Sequence, residues 1–176
     1  MYLLSFRWNS TYDLLLSFKI LQDPVVQTLL HVPNAPPELT RQEWTLLDKV
    51  VKVLKPFKDA TEMLSRHDAS ISMAIPIVTL IIEDLAKENP REEHGVLTMK
   101  RALKTSMETR FDYIHSTTNY CIEENEHFII STFLDSKFKD HFYRKPNTAE
   151  VAKTVVIDKL AQYLKEDMSQ VSLGVI

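Results

Sequence analysis

Three groups of side chains in this sequence could grip a polyanion. Arg7-Trp8 stands at the mouth of a helical stretch, where the guanidinium could pair a phosphate and the indole could stack a base. Lys100, Arg101 and Lys104 lie near one another on a later helical stretch, spaced to touch phosphates. Lys137, Lys139, Arg144 and Lys145 interleave with Phe138, Phe142 and Tyr143, a composition suited to stacking plus charge. Each group also has a plainer reading. Acidic neighbours dilute both lysine-rich groups into ordinary solvated surface. On spacing alone, Arg7-Trp8 reads as a core tryptophan with a snorkelling arginine.

Other chemistry is thinly represented. His31, His67, His94, His115, His127 and His141 are scattered, with no HExxH and no i, i+4 pair backed by a third ligand, so no metal site is expected. Cys121 lies six residues from His115, a poor ligand geometry, and reads as a buried, inert thiol. Glu123-Glu124-Asn125-Glu126 is the densest acidic run. Adjacent helical positions point different ways, so it reads as a solvated face rather than a Mg²⁺ cradle. Asp135 reads as a cap or turn residue. The 2 glycines, Gly95 and Gly174, cannot build a P-loop or a GxGxxG turn, and the 1 cysteine excludes an intramolecular disulfide and a cysteine-rich zinc site. No cofactor is expected. A formal charge of -3 denies the whole surface a strong positive field, so nucleic acid could bind only through a local patch.

The elements that must position these residues are helical nearly throughout. The chain has 176 residues, 44% hydrophobic and 26% charged, enough for one domain with a real core. Glycine scarcity against 8 prolines argues against an all-β fold, whose tight turns need positive φ. Apolar spacing predicts a helix from Ser10 to Gln22, capped by Ser10, then a shorter one over Val25–Val32 after a break at Asp23-Pro24. Thr40-Arg41-Gln42-Glu43 is a capping box that opens a long helix, its stripe running from Trp44 through Leu47, Val50, Val51, Leu54 and Phe57 to Leu64, with Pro56 expected to kink it. Further helices are predicted at about Ser72–Asn89, Val96–Ile114 and Glu126–Thr132, and from Asn147 or Thr148 to about Met168. The longest apolar run, Ile75 to Ile82, is too short to span a membrane. An all-α, irregular helical bundle is the expected fold class.

Three segments carry a family resemblance. Arg7-Trp8-Asn9-Ser10-Thr11-Tyr12-Asp13-Leu14-Leu15 resembles the TRWNSTYDML segment of hAT-superfamily transposases and their zinc finger BED domain-containing relatives. The helix from Trp44 to Ser65 is similar to the family's W..L..L..VL.PF...T..LS pattern. Phe133-Leu134-Asp135-Ser136-Lys137-Phe138-Lys139 resembles the family's FLDPRFK, departing at Ser136 and Lys137, where Pro and Arg are usual.

The resemblance implies a ribonuclease H-like catalytic core interrupted by a large helical insertion, with three acids holding two Mg²⁺ ions in a complete family member. Two of those acids would precede Arg7 and the third would follow Lys139, outside this chain. By that alignment, residues 1–8 are the remnant of a strand-bearing core, 9–146 the helical insertion, and 147–176 a C-terminal helix and tail before the dimerisation region. The expectations are a transposase-type fragment or a domesticated relative with no catalytic residue, no enzymatic activity and weak DNA binding through Arg7, Trp8, Lys100, Arg101 and Lys104. The alternative is a helical scaffold that packs on a parent core or on another copy and has no nucleic-acid affinity. The family implies a nuclear location; composition alone would give a cytoplasmic one.

Overall fold

A computed structural model describes residues 8–89, 92–111 and 121–173, the side chains of Trp8 and of 168–173 excepted. Arg7 and His115 therefore lie outside the described residues. Among these the chain forms seven α-helices and one 3-10 turn, with no strand, so the all-α class expected from composition is the observed one. The helices are α1 (Trp8–Ile20), α2 (Gln22–His31), α3 (Arg41–Leu64), α4 (Ala74–Ala86), α5 (His94–Arg110), α6 (Glu126–Leu134) and α7 (Thr148–Leu173). They group into two compact units, residues 1–65 with 87–102, and residues 66–86 with 103–176.

In the first unit α3 is the spine. Its capping box is complete: the Thr40 hydroxyl accepts the Glu43 amide at 3.3 Å while the Glu43 carboxylate accepts the Thr40 amide at 2.7 Å. α1 lies along α3 and buries Tyr12, while Val51, Val53 and Ala60 are the buried residues of α3 itself. Ion pairs Lys19–Asp48 and Lys58–Asp13 bind the two helices along their edges. α3 continues as helix through Pro56.

Two expectations are corrected here. α1 already begins at Trp8, so Ser10 sits inside the first turn instead of capping it. The break between α1 and α2 falls at Leu21, and Asp23-Pro24 occupies the first turn of α2. The first-turn amides of a helix have no acceptor inside it, so a proline there removes nothing.

In the second unit α4, α6 and α7 meet around Ile75, Val78, Ile82, Ile122, Ile129 and Ala152. Met107, Phe111, Phe128, Phe133, Phe142 and Tyr143 pack against that cluster. Pro76 stands in the first turn of α4, after the 3-10 turn Ile71–Met73. Polar groups that enter this core are paired: Thr132 donates to the Ser72 carbonyl at 3.1 Å, Thr79 to the Phe142 carbonyl at 2.9 Å, and Tyr143 to the Ile129 carbonyl at 2.7 Å. No helix among the described residues is long and apolar enough to cross a membrane.

Candidate functional site

The cations of α5 are held by neighbouring carboxylates and carbonyls. Lys100 Nζ donates to the Lys87 carbonyl at 2.6 Å and to Glu92 at 3.2 Å, and its side chain is only 13% exposed. Arg101 forms a forked pair with Glu88 at 2.8 and 2.9 Å, which raises the guanidinium pKa. In the second unit Lys104 stands 3.7 Å from Glu108. Lys100 and Arg101 thus each have a carboxylate partner, while Lys104 shares Glu108 with Arg144. The Lys100 side chain is largely covered, its ammonium set against the Lys87 carbonyl and the Glu92 carboxylate.

The basic and aromatic segment 137–145 divides in a similar way. Phe138 and Phe142 meet edge to face, their centroids 5.7 Å apart. Tyr143 turns inward, where burial, then the charges of Glu123 and Asp140, push its phenol up to about 12. Arg144 reaches Glu108 at 3.2 Å, and Lys145 reaches Glu124 at 2.7 Å. The Cys121 sulfur and then the Glu124 carboxylate raise the Lys145 ammonium well above its ordinary range. Lys137 and Lys139 are exposed, and Lys139 holds a left-handed φ of 48°.

The organising residue of this segment was not singled out from sequence. Glu123, placed there in a solvated acidic face, is buried at 3% exposure. Its carboxylate accepts the Arg144 amide at 2.8 Å, the Lys145 amide at 2.9 Å and the Thr148 hydroxyl at 3.1 Å. It thereby fixes the approach to α7. The signal lies more than 20 positions away in sequence, which local reading of an acidic run does not reach. Cys121 is buried beside it, as its sequence reading had it.

Asp135, in the segment resembling FLDPRFK, terminates α6. One oxygen accepts the Lys137 amide at 3.0 Å and the other the Ser72 hydroxyl at 2.7 Å, and these bonds hold its carboxyl below the usual range. The motif works here as a turn.

Among the described residues no three His, Cys, Asp or Glu side chains converge as a metal cradle. A cleft of about 530 Å³ between α1, α2 and the start of α3 is lined by Lys19, Gln22, Glu38, Arg41, Trp44 and Asp48, charges of both signs without a reactive pair.

The surfaces that stand out are apolar. On α1, Leu14 and Phe18 are exposed, and the stripe continues to Leu21. On α7, Ile157, Leu160 and Leu164 are 55%, 58% and 65% exposed, on the side of the helix turned away from α6.

With this geometry in place, comparison with known proteins is informative. The chain is distantly similar to zinc finger BED domain-containing proteins. It is 25% identical over 134 residues to mouse zinc finger BED domain-containing protein 6, a match covering 72% of this chain and 13% of that protein. The human protein of the same name gives 25% over 130 residues, and human zinc finger BED domain-containing protein 4 gives 22% over 167 residues, 93% of this chain. The chain spans 13% of the length of each of these relatives. No protein-family model matches it, and no solved structure matches it.

Proposed function

We propose that this chain is a helical insertion-type segment of an hAT-transposase-like protein, that it does not cut or join DNA by itself, and that its working surfaces face protein. One observation supports the protein-facing role above all: among the described residues apolar stripes on α1 and α7 are exposed, whereas Lys100 and Arg101 have internal carboxylate partners. The lineage is supported by the resemblance at Arg7–Leu15, Trp44–Ser65 and Phe133–Lys139, and by the similarity to zinc finger BED domain-containing proteins.

A second reading is nucleic-acid contact through Arg7, Trp8 and the exposed Lys137 and Lys139, with a nuclear location. The family resemblance favours it. The two readings separate in one set of measurements on the purified chain. Sedimentation at moderate salt, with and without polar substitutions in the stripes, reads protein association. A low-salt titration with duplex and single-stranded DNA, with and without Mg²⁺, reads binding and nicking. Association that withstands salt and disappears with the substitutions supports the proposal. A monomer that binds DNA with a steep salt dependence overturns the protein-facing role in favour of the second reading, and Mg²⁺-dependent nicking overturns the non-catalytic part.

A further inference from the structure

α7 carries two faces that do different work. At its start Thr148 and Ala152 are buried, and Lys159 reaches Glu126 of α6 at 3.0 Å. At about 100° per residue these three share one side of the helix. Ile157, Leu160, Ala161 and Leu164 fall within an arc of about 100° on the opposite side. Every side chain from 157 to 167 is exposed, and the apolar ones stand on the side opposite the Lys159–Glu126 contact. A helical extension of this length is marginal in water without tertiary support. The alternate four- and three-residue spacing of Ile157, Ala161 and Leu164 continues in the sequence at Met168 and Val171, the pattern of a coiled-coil seam.

The charges beside the seam indicate what covers it. Asp158 and Lys165 are one heptad apart, on the same flank, with opposite signs, and neither has a counter-charge among the described residues. Run a second α7 antiparallel across the first, with the two-fold axis near Ala161. Each Ile157 then lies beside the second copy's Leu164, and each Asp158 faces the second copy's Lys165. The alanine, the smallest side chain of the stripe, sits where the helices approach most closely. A parallel pair leaves Lys165 beside Leu160 instead, and its only opposite-charge match for Asp158 is Lys153, which already lies 3.9 Å from Glu150.

We infer that the distal half of α7 is a homodimerisation helix that pairs antiparallel with the same helix of a second copy, an isologous contact closed by two Asp158–Lys165 pairs. The inference deepens the protein-facing reading and rests on it, and it names the occupant of one of the two stripes.

The test is sedimentation equilibrium of the full chain with circular dichroism as the folding control. These positions are exposed, so substitution leaves the fold in place. The wild type is expected to be a dimer, and Ile157→Glu with Leu164→Glu a monomer. Asp158→Lys alone and Lys165→Asp alone each weaken association several-fold, and the double exchange restores it. A dimer that survives Ile157→Glu/Leu164→Glu but is lost with Leu14→Glu/Phe18→Glu overturns the inference and leaves the protein-facing reading standing. A wild-type monomer overturns the inference, and one that also binds no protein partner overturns both. Failure of the double exchange to restore association overturns the antiparallel arrangement.

Discussion

Glu123 shows how a carboxylate can be structural in a chain whose other acids are mostly on the surface. It is ringed by two backbone amides and a hydroxyl, and burial makes each of these bonds hard to replace with water. Glu123→Ala strands two backbone amides, the Thr148 hydroxyl keeping the Lys145 carbonyl at 3.2 Å, and is expected to cost about 3 kcal/mol in chemical denaturation, and Glu123→Gln less, because it keeps an acceptor. Asp135 acts through pH. Its folded-state pKa is lowered, so its contribution is complete above the unfolded value of about 3.9 and is lost as pH falls through the lower folded value. Asp135→Asn should therefore separate from wild type in melting temperature near neutrality and converge with it in strong acid. Tyr143 has the reverse sense: its neutral form is favoured, and what it contributes disappears only as pH rises through about 12. Ultraviolet titration should find a phenol ionising near 12, and Tyr143→Phe should remove it.

Elements were most legible where a local chemical signal coincided with periodicity. Thr40 and Glu43 announced the start of α3, and Thr40→Ala is expected to lower stability by roughly 1 kcal/mol in urea denaturation, since an unsatisfied first-turn amide replaces a capped one. Glu126 was read correctly as the start of a short helix, because Asn125 caps it by accepting the His127 amide at 3.0 Å. Ser10 misled because it resembles a cap while the helix already exists at Trp8. Asp23-Pro24 misled because proline interrupts a helix interior but is harmless in a first turn. The cationic groups were legible as residue types, and the partners of Lys100 and Arg101 were not. The carboxylates that match Lys100 and Arg101 lie 8 and 13 residues earlier, across a turn whose closure no helical periodicity reports. The final helix was placed correctly at its start, yet its change of face between Ala152 and Ile157 emerges only once α6 is known to cover one side.

At the scale of the molecule, the two units have separate buried sets, Tyr12 with Val51, Val53 and Ala60 in one, and the cluster around Ile75 and Ile82 in the other. Ile75→Ala removes a fully buried side chain and should destabilise by about 3 kcal/mol. Native-state hydrogen exchange should show the loss in α4, α6 and α7, with amides of α1 and α3 changed little. The ring of bonds at Glu123 has a consequence for how this polypeptide can be divided. It joins position 123 to position 148, so all of α6 is enclosed in a non-covalent clasp whose two halves lie on either side of that helix. A shortened version that keeps this clasp must carry 123–148 as one piece, and a protease nick or gene break between 123 and 144 would put the buried carboxyl on one fragment and its donors on another.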